Sequence, residues 1–137
     1  MATTTATITL NSADITGDAL SLTKTSTLTK AASNTGLDQF TGVTTVVYAA
    51  AQTATNIVAA ADYVDTTAAH KVYIKNSSAG TSDFVTVELG GSNVLMGFLY
   101  PGDWAFFPYD GTLDIDIDTS AVGMKVEFAV FSQSVAS

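Results

Sequence analysis

The residues with the clearest chemical potential in this chain are three aspartates at alternate positions, Asp114, Asp116 and Asp118. On a β-strand, alternate side chains point to the same face, about 7 Å apart. Carboxylate oxygens are the ligands that calcium takes in proteins, but a calcium loop curls them around one point. The apolar residues predicted on the opposite, buried face are Leu113, Ile115 and Ile117. The pattern therefore favours a solvated acidic face and leaves cation binding open.

Histidine chemistry is limited to His70, which is the one histidine of the chain and begins a predicted strand. Metal-binding enzymes of jelly-roll fold, such as cupins, need several histidines, so we expect a structural or surface histidine here. Nucleophilic triads need an imidazole base, and no recognisable motif surrounds this one. The chain has no cysteine, which removes thiol catalysis, thiolate metal sites and disulfides. We therefore predict a protein that is not an enzyme and needs no cofactor.

An aromatic segment at residues 101–109 holds the only tryptophan and both prolines. Such clusters form core anchors, subunit interfaces or sugar-binding platforms. We expect Trp104 and Phe106 to point into the core, while Phe107 faces a neighbour or the edge of the fold. The alternatives are a subunit interface and a carbohydrate platform at Trp104 and Tyr109.

The charge balance argues against nucleic acid and anionic membranes as partners. Thirteen acidic residues stand against five lysines and no arginine, which gives a formal charge of -8. Contacts to phosphate need Lys or Arg to displace counterions, and this chain has the opposite sign. Only 13% of the residues are charged although 47% are hydrophobic. Such a composition suits packing against copies of the chain or a large assembly, and it also occurs in secreted β-proteins.

The length of 137 residues fits one domain, which can bury a core without a metal or disulfide. No apolar run reaches the roughly 20 residues needed to cross a bilayer. The first residues lack the basic and apolar regions of a signal peptide. We therefore expect a protein that is made and kept in the cytoplasm, or else a mature form.

The elements that position these groups are predicted to be β-strands. Runs rich in β-branched and aromatic residues occur at 70–76, 84–89, 94–100 and 124–131, separated by Gly, Asn, Ser and Pro. The double glycine at 90–91 predicts a tight hairpin connection with positive φ. Pro101-Gly102 predicts a type II turn, and Asp110-Gly111 marks another turn.

The first half of the chain is also predicted to be mainly β. Apolar residues alternate over 6–10, and four threonines at alternate positions favour a strand within 19–30. Residues 44–48 form a further predicted strand, and residues 56–60 another, with a short helix as the alternative. The total of eight to ten strands predicts an all-β chain. We expect one antiparallel, jelly-roll-like β-sandwich domain over residues 7–137, preceded by an N-terminal arm at 1–6.

The second half of the chain resembles small structural proteins of tailed bacteriophages. The resemblance is carried by the strand Val-Tyr-Ile-Lys-Asn at 72–76, a Ser/Gly/Thr loop and the strand at 84–87. It continues through a double-glycine turn, the Leu-x-Pro-Gly-Asp turn at 99–103 that leads into Trp-Ala-Phe, and the closing Val-Glu-Phe-Ala-Val strand at 126–130. Residues 37–61 match nothing in this pattern.

The resemblance implies a virion component, most like a capsid decoration (cement) protein. Such proteins are non-enzymatic β-sandwiches, often homotrimers, that bind the outside of the icosahedral shell and stabilise it by bridging capsomers. The implied partners are the major capsid protein and further copies of the chain. The implied location is the outer capsid surface of a virion assembled in the host cytoplasm.

An N-terminal arm often takes part in docking in that family, and the family implies no catalytic residues. The candidate shell-docking or subunit-interface residues are Ala2, Thr3, Thr4, Thr5, Trp104, Phe107 and Tyr109. The alternative functions are a tail, neck or fibre module of a virion and a bacterial surface or carbohydrate-binding β-module.

Overall fold

The computed structural model describes residues 3–63, 67–91 and 94–133. In these ranges the regular structure is β-strand, apart from two 3-10 turns at Ile15–Gly17 and Ala60–Asp62, and no helix is long and apolar enough to cross a membrane. The strands are β1 (Thr5–Ser12), β2 (Leu20–Thr27), β3 (Gln39–Phe40), β4 (Thr44–Tyr48), β5 (Thr55–Val58), β6 (His70–Asn76), β7 (Val85–Leu89), β8 (Val94–Leu99), β9 (Trp104–Tyr109), β10 (Ile115–Thr119) and β11 (Met124–Ser132). The all-β prediction is confirmed, with eleven strands in place of eight to ten.

The last eight strands form a sandwich of two antiparallel sheets. Sheet I has the order β4–β11–β6–β9, with the short β3 paired to the end of β11, and sheet II has the order β5–β10–β7–β8. The strand pairs are nested in the sequence, since β7 pairs with β8, β6 with β9, β5 with β10 and β4 with β11. These four nested pairs form one long antiparallel ribbon. The ribbon wraps so that each successive strand pair belongs to the other sheet. This is the jelly-roll arrangement that the sequence predicts.

The core lies between the two sheets. Strand β6 alternates strictly, with Val72 and Ile74 fully buried and Tyr73 between them on the outer face. Ile115 and Ile117 of β10 are fully buried on the facing sheet. β-branched residues suit these positions because their stiff side chains fit a pleated surface. The phase of β6 therefore fixes which side chains of sheet I face outward.

The first two strands form a separate sheet, the β1–β2 hairpin. They pair with each other along all eight residues of each strand, and in the described ranges neither pairs with the sandwich. Thr7 and Thr25 join their hydroxyl groups across the pair at 2.8 Å. Most of the hairpin residues are exposed on both faces. The strands predicted near residues 6–10 and within 19–30 are confirmed.

The turn predictions agree with the backbone. Gly90 and Gly91 have φ values of 69° and 65° between β7 and β8. The Asp103 N–H donates to the Tyr100 carbonyl oxygen at 2.8 Å, and Gly102 has a φ of 91°, as a type II turn requires. Residues 56–60, predicted as a strand or a short helix, contain most of β5 followed by the start of a 3-10 turn.

Candidate docking surface

The alternating aspartates of β10 and the loop before it anchor neighbouring backbone segments. Each carboxylate accepts a backbone N–H from a different segment. Because these donors lie apart, the carboxylates do not converge on one point, and in the described ranges no group of three Asp, Glu or His residues could hold a metal ion. The donor–acceptor pairs are Ala60 to Asp114 at 2.7 Å, Gly91 to Asp116 at 2.6 Å and Ala54 to Asp118 at 2.6 Å.

The predicted burial of this segment is wrong at two positions. Asp116 is only 4% exposed, because the loop at Gly90 and Gly91 folds over it and donates a hydrogen bond to it. Leu113 is 46% exposed, because it precedes β10 and does not continue its inward row. Ile115 and Ile117 are buried as predicted. The face is therefore partly covered and is not a uniformly solvated acidic row.

Glu88 shares the covered part of this face. It lies directly opposite Asp116 on β7 and is 7% exposed. Its Oε2 atom is buried and accepts no hydrogen bond from the described residues. Like charges directly opposite each other on neighbouring strands are destabilising. We therefore expect the Glu88–Asp116 pair to destabilise sheet II, and a single substitution can test this.

His70 is a buried structural residue. Its Nδ1 atom accepts the Gln133 N–H at 3.3 Å, and its ring lies 5.6 Å from that of Tyr63 and 6.4 Å from that of Tyr109. The side-chain oxygen of Gln133 also accepts the Ala31 N–H at 2.9 Å. These contacts join the end of β11 to the start of β6 and to the segment after β2.

Two of the candidate interface residues belong to the core side of β9. Tyr109 is buried and donates its hydroxyl to the Leu113 carbonyl oxygen at 2.8 Å. Burial, together with the negative charges of Asp114 and Asp110, raises the pKa of Tyr109 to about 12. Phe107 is partly buried and packs against the core. Neither side chain therefore faces the outside of sheet I.

Trp104 and Phe106 point outward from sheet I, and the expectation that they enter the core is wrong. Trp104 is 49% exposed and Phe106 is 36% exposed. In the register of β6 and β9, Phe106 lies opposite outward-facing Tyr73. The inward positions of β9 are taken by Ala105, Phe107 and Tyr109. Trp104 and Tyr109 are thus on opposite faces, so they cannot form one carbohydrate platform.

An aromatic row crosses the outer face of sheet I. Phe40 stacks on Phe131 with ring centroids 4.7 Å apart, and Phe131 meets Phe106 edge-on at 6.1 Å. Trp104 continues the row on β9, two positions from Phe106, and Phe40 is exposed at its other end. We call these four residues the aromatic row.

An apolar groove lies between the β1–β2 hairpin and the aromatic row. We call this space of about 1090 Å³ the hairpin groove. Two lysines, Lys24 and Lys75, and one aspartate, Asp103, also line it. The apolar walls are formed by Ala6, Ile8 and Leu10 of the hairpin and by Leu99, Trp104 and Phe106 of the sandwich.

A second apolar surface lies on β8, at the edge of sheet II. This strand pairs with β7 on one side, and in the described ranges its other edge carries no strand. Edge strands of this kind offer free backbone groups to another chain. The exposed apolar residues of this β8 patch are Val94, Leu95, Met96, Phe98 and Tyr100.

The range predicted for the N-terminal arm, residues 1–6, overlaps the first strand. Thr5 and Ala6 belong to β1, and the Thr4 carbonyl oxygen accepts the Leu28 N–H at 2.8 Å, while Thr3 is exposed. Ala2, also a candidate docking residue, lies outside the described residues. Among the candidate interface residues that the structure describes, only Trp104 lines the hairpin groove.

The described surface therefore offers binding area in two places, the hairpin groove with its aromatic row and the β8 patch. Sequence reasoning missed Phe40, Phe106 and Phe131 because their outward direction depends on strand phase. The alternation of Ile8 and Leu10 is the one sequence signal for the hairpin wall. Comparisons with protein-family models, curated proteins and solved structures find no match to this chain.

Proposed function

We propose that this protein is a non-enzymatic decoration protein that binds the outside of a tailed-bacteriophage capsid. The observation that carries the proposal is the exposed apolar surface around the β1–β2 hairpin. Contiguous exposed apolar patches mark sites where proteins bind other proteins. The resemblance of the second half of the chain to phage structural proteins suggests which assembly this surface serves.

The aromatic row has the chemistry of an interface centre. Aromatic residues are enriched in protein–protein interfaces because they bury a large area at a small cost in side-chain entropy. In this chain Phe40 and Trp104 are exposed at the two ends of the row, and ring contacts join Phe40 to Phe131 and Phe131 to Phe106. We therefore assign to the capsid contact the part of this face around Phe40 and Phe131, which do not line the hairpin groove.

The β1–β2 hairpin extends the predicted docking arm to residues 5–27. A two-stranded hairpin is at best marginally stable in water without a packed face. Here the hairpin exposes both faces, including Ile8 and Leu10, so a partner surface would add most of its stabilisation. This supports a hairpin that gains stability from its contacts in the assembled coat.

A decoration protein can coat a capsid even when each single contact has a low affinity. Many copies on a repetitive surface, each bridging neighbouring capsomers, sum weak contacts into a stable coat. A homotrimer multiplies the effect, since three identical arms bind together. The formal charge of -8 suits a protein that sits outside the shell and away from packaged DNA. The proposed partners are thus the major capsid protein and other copies of this chain.

Sedimentation with capsid shells tests the proposal. Recombinant protein is added to purified shells that lack it, and we expect saturable binding at a fixed ratio to the major capsid protein. The double variant Phe40→Ser with Phe131→Ser should bind at least tenfold more weakly, because it removes the two stacked rings of the proposed capsid contact.

A matched control separates a lost contact from a lost fold. Val122, an exposed apolar residue in the turn between β10 and β11, lies at the opposite end of β11 from Phe131. Val122→Ser should bind like the unmodified protein. Failure of the unmodified protein to bind, or equal losses in both variants, would contradict the assignment.

A further inference from the structure

We propose that the tip of the β1–β2 hairpin of one copy inserts into the hairpin groove of a second copy of this chain. The contact rests on the proposed function for its role in assembly, because it would be the contact that joins decoration subunits to each other. Its parts are an aliphatic residue between two carboxylates at the tip and an apolar groove that carries two ammonium groups.

The tip presents an isoleucine where turns normally carry polar residues. Ile15 is 51% exposed, and exposed Asp14 and Asp18 flank it. The turn is held by backbone bonds from Gly17 to Asp14 and from Asp18 to Ile15, each 3.0 Å long. The Ser12 hydroxyl also accepts the Ile15 N–H at 3.1 Å. The tip is thus a preformed, hydrogen-bonded knob.

The groove has the complementary character. Its walls are apolar, and it takes two of the five lysines in a chain with thirteen acidic residues. Its one carboxylate, Asp103, already accepts the Tyr100 N–H at 3.0 Å. Lys24 and Lys75 can therefore attract an apolar segment flanked by carboxylates, such as Ile15 between Asp14 and Asp18. Opposite charges at a contact favour this partner and fix its direction.

The occupant must come from another copy. The hairpin residues that line the groove lie nearer the base of the hairpin than its tip does. The lining residues closest to the tip are Leu10 on β1 and Lys24 on β2. The tip lies farther out along the same paired strands, so folding it back would break that pairing. A tip-to-groove contact between copies is heterologous, and such contacts close into rings when the rotation permits. A ring of three copies would fill every groove.

Engineered cysteines test the contact directly, because the chain has no cysteine of its own. The variants Ile15→Cys and Phe106→Cys are purified separately, mixed and oxidised, and the products are resolved without reductant. We expect a mixed dimer well above the level that each variant forms alone. Val122→Cys replaces Phe106→Cys in the control mixture. Equal cross-linking in the two mixtures, or none in either, overturns the proposal.

Charge reversal provides an independent measurement that a folding defect cannot imitate. Trp104 is the only tryptophan and lines the groove, so its fluorescence emission should shift to shorter wavelength as copies associate. The tip variant Asp14→Lys with Asp18→Lys and the groove variant Lys24→Glu with Lys75→Glu should each associate about tenfold more weakly alone.

When the two variants are mixed, tips with lysines meet grooves with glutamates, and unmodified tips meet unmodified grooves. Because a ring of three leaves one contact mismatched, we expect association to recover in part, clearly above the level of either variant alone. No recovery on mixing would overturn the proposal. If cross-linking fails while the unmodified protein still sediments with shells, this contact is wrong and the proposed function stands. If cross-linking succeeds while shells bind nothing, the proposed function is wrong.

Discussion

At the residue scale, the aspartates at 114, 116 and 118 show that spacing alone does not reveal what a carboxylate binds. The alternation of Asp114, Asp116 and Asp118 is visible in the sequence, and in the structure Asp116 and Asp118 lie on β10 while Asp114 lies just before it. Their hydrogen-bond donors come from backbone far away in the sequence, at Ala60, Gly91 and Ala54. Such partners are set by tertiary structure, so no local pattern could reveal that these carboxylates anchor loops.

Replacement of Glu88 by glutamine should stabilise the protein. The substitution removes one of two like charges that face each other in a covered place, and the amide can donate a hydrogen bond to Asp116. We expect the free energy of unfolding in urea to rise by about 1 kcal/mol. Glu127→Gln is the control, because Glu127 already accepts a hydrogen bond from the Ser77 hydroxyl, and it should bring no gain. A less stable Glu88→Gln protein would show that the charge is useful.

Tyr109 should govern part of the alkaline unfolding. Its folded pKa of about 12 exceeds the ordinary value of 10.0, so the unfolded chain loses this proton first as pH rises. The stability that depends on the neutral phenol is complete below pH 10 and is lost between about 10 and 12. Tyr109→Phe should make the unfolding midpoint in urea less dependent on pH in this range.

At neutral pH the same variant should lose about 1 kcal/mol, because the Leu113 carbonyl oxygen loses its hydrogen-bond donor. Tyr100→Phe is the matched control, since Tyr100 is exposed, and we expect it to behave like the unmodified protein. An unchanged alkaline profile in Tyr109→Phe would mean that another group controls that limb.

Gly111 is required by close packing as well as by backbone conformation. Its φ is 82°, and a Cβ atom there would lie 1.7 Å from the Tyr63 carbonyl oxygen. Gly42 has a similar φ of 79° but no heavy atom within 4 Å of such a Cβ, which makes it a matched control. Gly42→Ala should cost about 1 kcal/mol and Gly111→Ala at least about 3 kcal/mol, measured by urea unfolding. Equal costs would contradict the packing argument.

At the element scale, the β1–β2 hairpin and the sandwich should be separable. The two share no sheet pairing in the described ranges, and the segment after β2 is joined to the sandwich by the hydrogen bond from the Ala31 N–H to the Gln133 side chain. A chain that starts at Leu28 should therefore keep a cooperative thermal transition within a few degrees of that of the full chain. It should lose binding to shells. A truncated chain without a cooperative transition would show that the hairpin is part of the folding unit.

Strand existence was predictable in this protein, while strand phase was predictable only where one face is polar. β6 alternates apolar residues with Lys71, Tyr73 and Lys75, so its buried face can be read from the sequence. β9 is apolar on both faces, Trp104 and Phe106 on one and Phe107 and Tyr109 on the other. A period-two pattern therefore cannot show which of these two faces is buried. The pairing of β9 with β6 decides which side chains of β9 face outward. That pairing joins distant parts of the chain, so the sequence of β9 alone does not reveal it.

At the scale of the whole molecule, the jelly roll results from the nested pairing of the last eight strands. The apolar surface that this pairing leaves uncovered is the surface available for binding. The turn residues and β-rich runs predict a sandwich, because each strand needs an apolar face covered. The separate hairpin was not predictable, since β1 and β2 carry the same kind of pattern as strands within a sheet. The hairpin groove exists only because these strands pair with each other.

The most direct test of the proposed function is whether purified particles of a tailed bacteriophage contain this chain, and in how many copies relative to the major capsid protein. A decoration protein must be present in many copies at a fixed ratio to the capsomers. We predict many copies of this chain, at a fixed ratio to the major capsid protein. A handful of copies per particle would place the protein in a tail, neck or fibre, and complete absence from the particle would contradict a structural role in the virion.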